Sequence, residues 1–120
     1  NKKIFPFGNG KQTRSYCHII DAIPQIINVS FSGKNFIYNI GNSRDEISAN
    51  ALAIYVKKSL NNKNIKIIKK SYPKSYPSNE PLRRCPDTSK IKKEFNYKPR
   101  VNIYKGIKMF SLYAKENFKI

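Results

Sequence analysis

Acidic residues are scarce in this chain: seven Asp plus Glu stand against 24 Lys plus Arg, leaving a formal net charge of +17. With so few carboxylates, no pair stands out for general acid–base work. Histidine occurs once, as His18, and cysteine twice, as Cys17 and Cys85. These three residues lack CxxC or HxxxH spacing, so a structural zinc is not expected. Two cysteines make no disulfide framework. Free thiols suit a reducing compartment, and a cytoplasmic location is expected. Long apolar runs are also missing. Ile19–Ile20 and Ile26–Ile27 are interrupted by Asp21, Pro24 and Gln25, which excludes a membrane span of the usual length and predicts a soluble protein. No GxGxxG follows a predicted strand, so there is no dinucleotide fingerprint. There is no Ser-His-Asp order. Tyr104 and Lys108 have YxxxK spacing, but Tyr104 opens an amphipathic helix in a chain rich in Lys and Tyr. No catalytic residue is assigned.

What is present is one small domain's worth of sequence. The 120 residues are 39% apolar, a little under the globular norm, and such a core is small to stand alone. The excess of Lys and Arg points to a phosphate-rich partner. Yet the basic residues are scattered, as in Lys57–Lys58 and Lys92–Lys93, without a long basic block. Composition bias towards Lys, Asn, Ile and Tyr accounts for that pattern, and nucleic acid is not the expected partner. A small basic nucleic-acid-binding module is the alternative reading. The chain starts at Asn1 and runs at once into a motif-like segment, which reads as a fragment.

Local signals give a mixed α/β order. Gly8-Asn9-Gly10 predicts a tight turn, and 13–20 reads as β-like. Asp21 is a candidate helix N-cap, with Pro24 in the first turn. Ile23, Ile26, Ile27 and Phe31 form one helical stripe. A strand is predicted over 35–40. Ser48 caps a second helix running to about Leu60, closed by Asn61 and Asn62. A short strand covers 65–68, and four prolines punctuate the loop over 72–86. Asp87 caps a third helix ending near Asn96, and a fourth runs over 104–118. Two or three short strands cannot cover so many amphipathic faces, so some should pack on a sheet outside this sequence.

Three segments carry candidate chemistry. In Gly8-Asn9-Gly10-Lys11-Gln12-Thr13-Arg14, a glycine turn precedes basic residues that suit a phosphate, although such a turn is equally just solvated. In Tyr38-Asn39-Ile40-Gly41, Asn39 ends an apolar stretch, where it serves either a ligand or a turn. In Arg83-Arg84-Cys85-Pro86-Asp87, adjacent arginines sit on a stiff loop leading into a helix. They are either preorganised for phosphate or solvated beside a helix cap.

In this order and spacing the segments resemble the extended short-chain dehydrogenase family of NAD-dependent nucleotide-sugar epimerases and dehydratases. The Arg84-Cys85-Pro86-Asp87 run is most similar to the UDP-glucuronate decarboxylase and dTDP-glucose 4,6-dehydratase branch. The resemblance covers Phe5 to about Phe118. It implies that residues 1–120 form the C-terminal substrate-binding lobe of a Rossmann-type enzyme, with short strands and about four helices. The NAD-binding N-terminal Rossmann domain would then be absent. It implies Phe7 near the base, Arg14 at the diphosphate with Gln12 on the same loop, Asn39 near the nucleotide, and Arg84 as a second phosphate-side arginine. Arg83 is the fallback should the loop shift by one residue. Arg14, Asn39 and Arg84 are expected to face a common groove. The implied partners are a nucleotide-sugar substrate, the Rossmann domain and, in the full-length enzyme, a second copy as a homodimer.

Overall fold

A computed structural model describes residues 2–34, 37–77 and 79–118. Its elements in chain order are β1 (Lys3–Ile4), β2 (Thr13–Ser15), α1 (Ile19–Ser32), β3 (Glu46–Ser48), α2 (Ala49–Ser59), β4 (Lys66–Ile67), β5 (Arg83–Arg84), α3 (Ser89–Phe95) and α4 (Ile103–Asn117). The fold is α/β, with short strands and four helices among the described residues. β1 pairs in parallel with β4, and a second sheet has the order β3-β2-β5, antiparallel on one side of β2 and parallel on the other.

Most helix ends follow their local chemistry. The Ser48 hydroxyl accepts from the Ala51 amide at 3.2 Å and starts α2. The expected cap Asp87 falls one residue outside α3: the cap position is Thr88, whose side chain makes no capping bond, while Asp87 accepts from the Ser89 amide at 2.8 Å. Asn61 and Asn96 take left-handed backbone conformations where α2 and α3 end. Asn102 accepts from the Lys105 amide at 2.9 Å and opens α4.

Two further expectations are overturned. Asp21 does not cap α1. That helix starts two residues earlier, with His18 Nδ1 accepting from the Ile20 amide at 3.2 Å. Asp21 is buried, and its carboxylate accepts from the amides of Arg100 (3.1 Å) and Val101 (2.9 Å). A distant pair of N–H groups thus outcompetes the helix's own end. Ile19 and Ile20, read as strand, are its first turn. No strand forms at residues 37–40 either, while 35 and 36 lie outside the described residues. Side chains meet that segment's backbone instead. Lys90 Nζ donates to the Ile37 carbonyl at 2.9 Å, and the Gly41 amide donates to the buried Gln25 Oε1 at 3.2 Å.

The buried apolar core is small, comprising Ala53, Ile65, Ile91, Val101 and Ala114 among the described residues. The radius of gyration is 16.8 Å, against roughly 13–14 Å for a compact domain of this length. The accessible surface is 8985 Å², whereas a folded monomer of this mass exposes roughly 6,700 Å². Much apolar surface lies open.

Candidate functional site

The register of the three-stranded sheet builds the site. Arg14 on β2 is paired with Arg84 on β5, and Thr13 with Arg83. Side chains alternate faces along a strand, so Arg14 and Arg84 share one face while Thr13 and Arg83 share the other. The partners follow that division. Arg14 Nη2 donates to Glu80 Oε1 at 2.6 Å, and Arg84 Nη2 donates to Glu80 Oε2 at 2.9 Å. On the opposite face Arg83 donates to both oxygens of Glu46, through Nε and Nη2, and Thr13 Oγ1 donates to Glu46 Oε1 at 2.6 Å. The Thr13 hydroxyl and then Arg83 hold the Glu46 carboxyl below the usual carboxylate range. Arg84, not Arg83, is therefore the neighbour of Arg14.

The glycine turn supplies the next wall. Gly8 and Gly10 have positive φ of 62° and 69°, which side chains adopt only with strain. Gln12 Nε2 donates to the Phe7 carbonyl at 3.1 Å and ties the turn to its own strand. The Phe7 ring stacks on Tyr72 at 5.9 Å, and Tyr72 lies 4.3 Å from Tyr76. Gln12, Tyr72, Tyr76, Glu80 and Leu82 line a cavity of about 230 Å³ with Pro77 and Pro81. The fold thus brings Phe7, Gln12, Arg14 and Arg84 to one neighbourhood of aromatic rings and charge. Asn39 is not joined to Glu80. Its amide donates to the Asp87 carbonyl at 3.0 Å, three residues beyond Arg84.

A larger cavity lies elsewhere. A groove of about 560 Å³ between α2 and α4 is lined by Leu52, Val56, Ile107 and Phe110 and reaches Tyr16, Cys17 and His18. Its lining is almost wholly apolar, and it presents no converging charged groups. We read it as unfilled core, not a reaction site. Beside it, burial pushes the Cys17 thiol up, with Asp21 adding to the effect. Tyr97 is pushed up to about 12, mainly by burial. Neither group is set for nucleophilic or acid–base work near neutral pH. No group of three His, Cys, Asp or Glu that could hold a metal occurs among the described residues, and both cysteines are free. No described helix is long and apolar enough to cross a membrane.

Three contributors escaped the sequence reading. Glu80 looked like loop composition among prolines. Tyr72 and Tyr76 were two of eight tyrosines, and only the fold shows that Tyr72 faces Phe7 and Tyr76 packs on Tyr72. A signal for Glu80 did exist, because it sits four residues before Arg84 in a chain with few carboxylates.

No protein-family model matches the chain. The chain is 28% identical over 104 residues to UDP-glucuronic acid decarboxylase 1 of Arabidopsis thaliana, covering 84% of this chain and 22% of that protein. It is 29% identical over 112 residues to decarboxylase 3 of the same plant, covering 92% and 30%. It therefore spans less than a third of the length of these curated relatives. Among solved structures, UDP-glucuronic acid 4-epimerase from Bacillus cereus, in complex with UDP-glucuronic acid and NAD, matches 98% of this chain and 36% of its own at a TM-score of 0.78 and 28% identity. A dTDP-glucose 4,6-dehydratase from Streptomyces venezuelae, with NAD bound, matches at 0.80 and 26% identity, covering 97% and 35%. UDP-glucose 4-epimerase from Thermotoga maritima matches at 0.82, covering 95% of this chain and 35% of its own; at 22% identity it speaks for the fold alone. In sequence and fold the chain is similar to the C-terminal part of extended short-chain dehydrogenases of the nucleotide-sugar epimerase and dehydratase kind.

Proposed function

We propose that this chain is the substrate-binding part of an NAD-dependent nucleotide-sugar epimerase, dehydratase or decarboxylase, and that it holds the nucleoside diphosphate of the sugar. One observation carries the proposal: Arg14 and Arg84, 70 positions apart in the sequence (84 − 14), become register neighbours on one sheet face. A diphosphate needs several charge-assisted donors at once, and two guanidiniums side by side supply them. Phe7 and Tyr72 offer rings for the base, while Gln12 and Asn39, whose side-chain N–H groups bond the Phe7 and Asp87 carbonyls, brace the loops around the pair. Anchoring the unreactive diphosphate holds the sugar in place, which turns binding energy into rate.

NAD belongs to this proposal as the cofactor of a preceding Rossmann domain. The glycine turn of this chain does not fit it. A Cβ on Gly10 would collide with the Asn50 side chain, and one on Gly8 would lie 2.6 Å from Tyr72. The glycine turn is thus packed by the protein's own side chains and is not a dinucleotide-binding glycine loop. No step of hydride chemistry is assigned to these residues.

Isothermal titration with UDP tests the proposal. Arg14→Ala and Arg84→Ala should each weaken binding roughly tenfold or more, the effect of losing one charge-assisted hydrogen bond. Arg83→Ala, on the opposite face, should leave it nearly unchanged. Equal effects from all three, or none, would reject the clamp.

A further inference from the structure

The guanidinium pair already has an anion. Glu80 spans it with one carboxylate oxygen on each arginine, at 2.6 and 2.9 Å. Two adjacent anionic oxygens facing two N–H forks are also what a phosphoryl group presents. We propose that Glu80 is an internal stand-in for the diphosphate: it holds Arg14 and Arg84 aligned in the free protein and leaves them when a diphosphate enters. The inference rests on the reading of the pair as a diphosphate clamp and adds its regulation.

Glu80 is placed to move. It lies in the Pro-punctuated loop outside the sheet, and its amide makes a long 3.4 Å bond to the Pro77 carbonyl. It also stands between the two arginines it bridges and a cavity that it lines with Gln12, Tyr76 and Leu82. A phosphate bound there beside an unmoved Glu80 would meet like charge at short range. The contrast with Glu46 is informative. Glu46 is fixed in β3 and gripped by three hydrogen bonds from Arg83 and one from Thr13. That pair reads as permanent, whereas the Glu80 bridge reads as exchangeable.

Inorganic pyrophosphate is the probe, titrated calorimetrically into the full 120-residue chain. The Glu80→Gln variant should bind it about tenfold more tightly, because a neutral amide competes less for the arginines. If the wild type binds and Glu80→Gln binds equally or more weakly, Glu80 is an orienting brace and the stand-in is rejected while the clamp survives. If neither binds, both readings fall. A second measurement needs no variant. In protein carrying carboxyl-labelled glutamate, pyrophosphate should shift the Glu80 signal and leave that of Glu46 in place. An unmoved Glu80 signal in the presence of bound pyrophosphate also overturns the proposal.

Discussion

Carboxylates are few in this chain, and each well-placed one organises a different part of it. Asp21 fastens the segment entering α4 by its amides, and Asp45 does the same at the Ile103 amide, 2.8 Å away. Glu46 joins β2, β3 and β5 through Thr13 and Arg83. Its pKa, like that of Asp87, is depressed; hydrogen bonds from Ser89 are the main cause for Asp87. The sign follows. A depressed carboxylate favours the folded state above its unfolded pKa, and that contribution is lost as pH falls through the folded value. The ordinary values are 4.5 for Glu46 and 3.8 for Asp87. The melting temperature should therefore hold above about pH 5 and fall progressively below it. In Glu46→Gln the acid-side fall should be shallower and the plateau lower. Thermal melts from about pH 3 to pH 7 check this, and parallel curves for the two proteins would remove Glu46 from the account.

At the scale of elements, the sequence was legible wherever a local signal had no distant competitor. Ser48, Asn61 and Asn96 marked helix ends because caps and left-handed turns are settled within a few residues. Arg14 and Arg84 were identifiable as candidates, but their alignment depends on a parallel pairing that no local pattern contains. Asp21 misled because a good cap residue was recruited by amides near residue 100. Residues 37–40 misled because an apolar run reads as strand until its backbone partners are known, and here Lys90 bonds the Ile37 carbonyl and Gln25 the Gly41 amide just beyond. β3 was invisible, since only Ile47 in it is apolar. The cap that was legible gives a quantitative expectation. Ser48→Ala removes the acceptor for the Ala51 amide and should cost about 1 kcal/mol of stability. Ser48→Gly should cost less than Ser48→Ala. Urea unfolding of the two variants distinguishes a cap from a generic packing defect, which would make glycine the worse substitution.

Across the whole molecule, one part of the excess surface forms a stripe. On α1, Ile23, Ile26 and Ile27 are each about half exposed, at 46%, 51% and 49%, and Phe31 is 87% exposed. These are the residues whose helical spacing predicted one apolar stripe. Nothing in the described residues covers that stripe, although burying it would add several side chains to a core of five. An isolated apolar residue on a surface is ordinary, but a contiguous stripe on one helix marks a contact face. If the chain works as one part of a larger Rossmann-type enzyme, this stripe is where the other part belongs. The 120-residue chain alone should then bind a hydrophobic dye or self-associate at micromolar concentration. Ile23→Lys with Ile27→Lys should suppress both while leaving helix content unchanged, because both side chains already face outward. Joined to a matching N-terminal domain, the native sequence should lose the dye signal, whereas the double variant should fail to dock. Dye fluorescence and sedimentation of the four proteins provide the test. A dye-silent monomer with a sharp cooperative melt would instead mark the chain as an autonomous domain and reject α1 as a docking face.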